Sequence, residues 1–223
     1  TDLGARLPSV LRRFPKNDAF AKATMAEVFG ENNLAAAEVR TADNFSSGVY
    51  LSQPDGTYRF TAFPRTAQMG PINGLVATDL DGDGLADICA VQNSDAAVPR
   101  FHGGLGIFLK GTRDGRFEAL APERSGIVVP GNARALVTVD ATGAGRPDLF
   151  LTQHGGPTDL LVNETNNAHW LRVQLAGSKG NPDAVGARVQ FSYSTKRRSS
   201  DEVGLGGGWF SQSAPGLFVA IPP

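Results

Sequence analysis

The densest chemistry in the chain lies in nine residues, Asp79-Leu80-Asp81-Gly82-Asp83-Gly84-Leu85-Ala86-Asp87. Four carboxylates in so short a run repel one another at neutral pH unless a cation sits among them, and the flanking residues are poor in charge. A hard cation suits this donor set, because Ca2+ takes about six to eight oxygen ligands at about 2.3–2.6 Å. Alternation places Asp79, Asp81 and Asp83 at loop positions 1, 3 and 5 as side-chain ligands. Leu85 follows at position 7 as a backbone carbonyl donor, and Asp87 at position 9 closes the shell. Gly82 and Gly84 permit the positive-φ turns that wrap such a loop. The EF-hand opens with the same D-x-D-x-D-G run but needs a bidentate Glu at position 12. Position 12 is Ala90, and the flanks Leu75–Thr78 and Ile88–Val91 read as strands rather than helices. The spacing therefore predicts a calcium site in a strand–loop–strand unit.

No second constellation of this kind stands out. His102, His154 and His169 form no H-x-x-x-H or H-E-x-x-H pair, so a transition-metal site is not expected. Cys89 sits inside an apolar run with no base nearby in sequence and reads as a small buried hydrophobe. There is no G-x-S-x-G elbow, and the chain is expected not to be an enzyme. Gly204-Leu205-Gly206-Gly207-Gly208 lacks the Lys-Ser/Thr ending of a phosphate loop and reads as a hairpin turn. Lys196-Arg197-Arg198 reads as a solvated turn, and Trp170 and Trp209 as core anchors. Asn44-Phe45-Ser46 and Asn163-Glu164-Thr165 match the glycosylation acceptor pattern.

The elements that position the acidic loop are short strands that repeat. Leu75-Val76-Ala77-Thr78-Asp79 is echoed 61 residues later by Leu136-Val137-Thr138-Val139-Asp140, and the same offset carries Gly82, Gly84 and Asp87 to Gly143, Gly145 and Asp148. Gly48-Val49-Tyr50-Leu51 followed by Asp55-Gly56-Thr57-Tyr58 recurs as Gly106-Ile107-Phe108-Leu109 followed by Asp114-Gly115-Arg116-Phe117. Each is a strand, an Asp-Gly turn and an aromatic that opens the next strand, the strongest short-range hairpin signal. Leu160-Leu161-Val162-Asn163 reads as the start of a third unit that is not completed. A repeat of about sixty residues with about four strands has the size of a large β-propeller blade. The second loop, Asp140-Ala141-Thr142-Gly143-Ala144-Gly145-Arg146-Pro147-Asp148, keeps the outer two carboxylates only, and Arg146 is placed to neutralise them.

The ends of the chain differ from this middle. Ala21, Met25, Val28 and Phe29 fall at helical spacing after Asn17 and Asp18, with Gly30 as a stop, and Leu34 to Val39 forms a second helical patch. Residues 1–40 are thus expected to be a helical leader packed on the β repeats of residues 41–165. In residues 166–223 clean alternation returns: Leu171, Val173 and Leu175 share one face of a strand, as do Ala187, Val189, Phe191 and Tyr193. That is the pattern of half-buried antiparallel strands in a separate small β module.

Composition agrees. The 27 Gly and 14 Pro with only 19% charged residues suit many turns between short strands. With 21 Lys+Arg against 22 Asp+Glu the net charge is −1, far from the basic balance of a nucleic-acid binder. No stretch approaches the ~18 apolar residues of a membrane span, so no membrane insertion is expected. The chain opens on Thr1, which reads as a processed or excised boundary.

Two repeats near sixty residues with D-x-D-x-D-G-x-x-D between strands resemble the FG-GAP/VCBS repeats of integrin-like β-propellers. The tail, with Asn167-Ala168-His169-Trp170-Leu171-Arg172-Val173, Gly177, Asn181, Ala184-Val185-Gly186-Ala187-Arg188-Val189, Gly206 and Ser211-Gln212, resembles the ASPIC/UnbV module that follows such propellers in cartilage acidic protein-like proteins. The family would continue with further strands where this chain has Leu217 to Pro223, so the module looks truncated. The resemblance implies an all-β chain of propeller-type blades, with a short N-terminal helical segment and a small C-terminal antiparallel module. It implies structural Ca2+ and a secreted, cell-surface or periplasmic protein that works by protein interaction or adhesion. The alternatives are a carbohydrate-binding module, or an accessory domain of an enzyme whose catalytic part lies elsewhere. The partner is then a protein or a glycan.

Overall fold

A computed structural model describes residues 7–92, 103–193, 198–208 and 211–221. The chain divides into two compact units, one up to Phe45 and one from Ser46 onward. The expectations for His102, for Lys196 and Arg197, and for Trp209 fall outside the described residues.

Among the described residues the first unit contains four short helices, α1 (Pro8–Arg13), α2 (Asn17–Lys22), α3 (Met25–Phe29) and α4 (Glu31–Ala35). The single apolar stripe expected from Ala21 to Phe29 is broken in two, with Met25 exposed. The reason is local: Thr24 Oγ1 accepts the Glu27 N–H at 3.2 Å while the Glu27 carboxylate accepts the Thr24 N–H at 2.7 Å. This reciprocal capping box starts a new helix at Met25. Gly30 ends α3 with φ +86°, as expected. The patch from Leu34 to Val39 is helical only as far as Ala35, and Val39 is exposed.

The second unit is built from antiparallel strands. β1 (Gly48–Ser52) and β2 (Tyr58–Ala62) form a hairpin. β3 (Ile72–Thr78), β4 (Asp87–Gln92), β5 (Ile107–Gly111) and β6 (Phe117–Leu120) form a four-stranded meander. After a short helix α5 (Pro122–Ser125), β7 (Ala133–Val139), β8 (Asp148–Gln153) and β9 (Thr158–Leu161) form a three-stranded one. Both Asp-Gly turns are present: Gly56 and Gly115 take positive φ, and Asp55 Oδ1 accepts the Thr57 N–H at 2.9 Å.

The sixty-residue repeat is a repeat of register. Val76 pairs with Cys89 as Val137 pairs with Phe150, and Thr78 with Asp87 as Val139 with Asp148. Even the irregularity recurs, since a bulge falls between Ile72 and Gly74 and again between Ala133 and Ala135. Leu160-Leu161, expected to open a third unit, instead belongs to the third strand of the second sheet. Leu161 pairs with Leu149 as Leu109 pairs with Ile88.

The core lies between these layers. Val76, Cys89, Val91 and Phe108 on one face of the four-stranded sheet pack with Leu136, Leu149 and Leu151 of the next sheet. Ile88, Ala90, Ile107 and Leu109 on its other face pack with Val49 of the β1–β2 hairpin and with Phe63 and Ala67 just beyond it. The central strand β4 is therefore buried along its whole length. Cys89 is inside this core, as read from sequence, and burial pushes its thiol pKa up to about 12.

In the tail, β10 (His169–Val173) pairs with β13 (Leu217–Ile221), and β11 (Arg188–Ser192) with β12 (Arg198–Glu202). The last apolar run is thus the partner of the first tail strand, with Leu217 to Ala220 buried. Alternation on β11 is as expected, but on β10 Leu171 is exposed and Trp170 turns inward. Among the described residues no helix is long and apolar enough to cross a membrane.

Candidate metal centre

The acidic loop joins β3 to β4, and its carboxylates first of all organise its own backbone. Asp79 accepts the N–H groups of Gly82 at 2.8 Å and Gly84 at 2.6 Å. Asp81 accepts from the Asp83 N–H at 3.2 Å, and Asp83 from the Leu85 N–H at 2.9 Å. Gly82 and Gly84 take φ of +82° and +79°, conformations that cost a glycine nothing. A side chain at Gly82 would also strike Ala168 and Asn167, so the tail closes over the loop at that point.

Asp87 plays a different part. It is fully buried, with Oδ2 accepting the Leu80 N–H at 3.0 Å and Oδ1 the Gly111 N–H at 2.9 Å. It therefore clamps the start of the loop to the end of β5. Asp148 repeats this, also fully buried, taking the N–H groups of Ala141 at 3.0 Å, Thr142 at 3.3 Å and Asn163 at 2.8 Å. Gly143 and Gly145 take the same positive φ as their counterparts, and Asp140 accepts from Gly145. The second loop thus keeps the wrapped form although Thr142 and Ala144 stand where Asp81 and Asp83 would be. Arg146, expected to neutralise the remaining carboxylates, instead donates Nη1 to the Thr165 carbonyl at 2.8 Å.

Carboxylate oxygens of Asp79, Asp81 and Asp87 lie within 4.8 Å of one another, so these three can hold a metal ion. Two oxygens on one Ca2+ at about 2.4 Å can stand at most about 4.8 Å apart, so the cluster fits a shared cation. The donors are all oxygen, which suits a hard ion over a soft one. Asp83 stands outside this triad, with Oδ2 2.7 Å from Lys110 Nζ, and Lys110 also pairs with Asp81. Lys110, on β5, is the participant that sequence reasoning missed. The available signal was its position, the only charge in the run Gly106–Gly111, where the repeat has Val162.

The electrostatics show a shortage of positive charge. Burial, then repulsion from Asp83 and Asp81, raises the Asp79 pKa despite the Gly82 and Gly84 N–H bonds. Burial above all, with repulsion from Asp81 and Asp79, pushes Asp87 up to about 7. The hydrogen bonds to Asp81 and Asp83 raise the pKa of Lys110 against the opposing effect of its own burial. One ammonium leaves four carboxylates short of charge balance.

A pH dependence follows. Asp87 has a folded pKa near 7 against about 3.9 unfolded. The folded state then holds its proton more tightly, so this group's contribution is present below about pH 4 and is lost as pH rises to about 7. With a chelator present, the urea midpoint is expected to be lower at pH 8 than at pH 5; a higher midpoint at pH 8 contradicts the assignment. With calcium present the trend is expected to weaken or reverse, because the cation binds the ionised form.

The linker after β9 ties the two loops together. Asn163 Nδ2 donates to the carbonyls of Leu80 at 2.9 Å and Pro147 at 3.3 Å, so the amide that the glycosylation pattern would modify is committed to the fold. Trp170 lies half-buried near Gly82, as expected of an anchor. No family model matches the chain, and no curated protein matches it.

Proposed function

We propose that the chain is a non-enzymatic, calcium-stabilised segment of an FG-GAP/VCBS-type β-propeller with an ASPIC/UnbV-like tail, exported and acting in protein interaction or adhesion. The observation that carries this reading is the gathering of Asp79, Asp81 and Asp87, two of them with raised pKa values while Lys110 is already in place. In the ligand set, Asp81 and Asp83 are the acidic residues that the second loop lacks and folds without. Their presence is explained by a bound cation. Asp83 and the Leu85 carbonyl complete the shell once Lys110 withdraws. Calcium then supplies charge neutralisation and fixes the β3–β4 connection. The blade reading rests on the 61-residue recurrence of strands, bulge and loop, and on the face-to-face layering of hairpin and sheets.

The test is thermal unfolding with calcium and with a chelator. At a hundredfold excess over Kd a ligand bound only to the folded state adds about 2.7 kcal/mol, or about 5–10 °C in Tm for a unit of this size. Asp81→Ala is expected to abolish that shift while leaving the Asp87 clamp intact. An unchanged Tm on chelation sinks the metal assignment.

A further inference from the structure

The segment that leaves β9 reaches the acidic loop from outside, and it does so at a position where the repeat changes residue. The backbone N–H of Gly111 donates to Asp87 at 2.9 Å, and that of Asn163 donates to Asp148 at 2.8 Å. Asn163 therefore holds in the second sheet the place that Gly111 holds in the first. A side chain at Gly111 would strike the carbonyl of Ala86, so glycine is required there. Pro147 is the counterpart of Ala86 in the 61-residue repeat, and its carbonyl accepts Asn163 Nδ2 at 3.3 Å. The same amide extends to the Leu80 carbonyl at 2.9 Å, in the other loop.

Leu80 is where this contact matters. It is buried and lies between Asp79 and Asp81, two of the three gathered carboxylates. Its N–H, in the peptide shared with Asp79, donates to Asp87. Its carbonyl, in the peptide shared with Asp81, accepts both Asn163 Nδ2 and, at 3.3 Å, Thr165 Oγ1. The orientation of both carboxylates thus depends on how Leu80 is held. Thr165 is itself fixed, its N–H on Asn163 Oδ1 at 2.9 Å and its carbonyl accepting Arg146 Nη1 of the second loop at 2.8 Å. Further along, Asn167, Ala168 and Trp170 lie over Gly82. The strap of residues 163–170 grips the loop at positions 2 and 4, Leu80 and Gly82, and leaves the carboxylates at the odd positions to a cation.

We propose, resting on the calcium assignment above, that Asn163 and Thr165 are positioning residues of the metal site and that the strap couples the tail to it. Partners behind a metal's ligands set the ligands' orientation and with it the affinity. Here those partners come from the segment that leads into the tail. A strap bound to Leu80 holds Asp79 and Asp81 in place for the cation, and a bound cation in turn fixes the loop on which the strap rests. The two effects are equal by linkage. The second loop, short of its middle acids, then has a role of its own, because Arg146 keeps the strap in reach of Leu80 whether or not a cation is bound.

Calorimetric titration of the full chain with calcium tests this. Thr165→Val and Asn163→Ala are each expected to weaken binding by about tenfold, the low end of the roughly 10–100-fold that such partners carry. Thr165→Ser keeps the hydroxyl and is expected to bind like the parent chain, a rescue that lost packing alone would not give. In the parent chain, calcium is expected to slow amide exchange in the strap and in β10 as well as in the loop. Variants that bind calcium as tightly as the parent, a Thr165→Ser variant as weak as Thr165→Val, or exchange in the strap unmoved by calcium each overturn the coupling and leave the metal assignment standing. A parent chain that takes up no calcium removes the metal assignment, and the coupling falls with it.

Discussion

Asp148→Ala is expected to destabilise the second unit by on the order of 3 kcal/mol, equally with and without calcium. Its carboxylate takes the N–H groups of Ala141, Thr142 and Asn163 in a fully buried setting. Removing it strands donors that cost about 1–3 kcal/mol each when buried without a partner. Part of that cost is offset because a desolvated carboxylate is also removed. Asp87→Ala cuts the corresponding bonds from Leu80 and Gly111 and is expected to cost a similar amount. It differs in one respect, for it also removes one of the three gathered carboxylates, so the calcium-dependent gain should vanish with it. Asp148→Asn offers a graded control: its amide keeps one acceptor oxygen, and about half the loss is expected. Urea unfolding in calcium and in chelator measures all three. An Asp148→Ala variant within about 0.5 kcal/mol of the parent chain, the range of an inert surface change, would contradict the clamp.

That pair of substitutions also shows where sequence reading stopped. D-x-D-x-D-G-x-x-D between two β-like runs placed the loop between β3 and β4, because glycine spacing and strand alternation are local signals. The Asp-Gly hairpins, the buried Cys89 and the sixty-residue period were legible for the same reason. The division of labour among the carboxylates was not. In sequence Asp79 to Asp87 are equivalent alternating acids, and only the N–H groups of Leu80 and of Gly111 on β5 show that Asp87 is a clamp as well as one of the gathered carboxylates. The second loop held the clue, since it keeps Asp140 and Asp148 and loses the middle pair.

Other differences between pattern and structure have equally physical causes. Ala21 to Phe29 keep a helical period, yet the Thr24–Glu27 capping box restarts the helix within that stripe. On β10 strict alternation does not set burial: Trp170 and Val173 are half-buried while Leu171 and Arg172 between them are exposed, and Trp170 packs near Gly82. Arg146 looked like a counterion because it is next to acids in sequence, yet its guanidinium reaches across to the Thr165 carbonyl. Nearness in the chain is weak evidence for pairing when the loop wraps.

Lys110→Met is expected to tighten calcium binding by about tenfold. In the metal-free chain the Lys110 ammonium bridges Asp81 and Asp83, the two acids that complete the proposed shell. Calcium has to displace that ammonium, breaking two ion pairs whose side chains are about 30% exposed. Partly exposed pairs of this kind are worth about 0–1 kcal/mol each, and about 1.4 kcal/mol is a factor of ten in affinity. An ammonium left beside the bound ion would add repulsion, which works in the same direction. Without metal, Lys110→Met should lower stability, because four carboxylates then lack any counterion; with saturating calcium the variant should recover. Met keeps the length and apolar stem of Lys, so packing against β5's neighbours changes little. The repeat supplies a precedent for an apolar residue here, since Val162 holds the equivalent place where the loop lacks its middle acids. Calorimetric titration of the parent chain and Lys110→Met with calcium decides it. Unchanged affinity would mean that the ammonium and the metal do not compete for Asp81 and Asp83, and weaker affinity would mean that Lys110 helps to shape the site it now occupies.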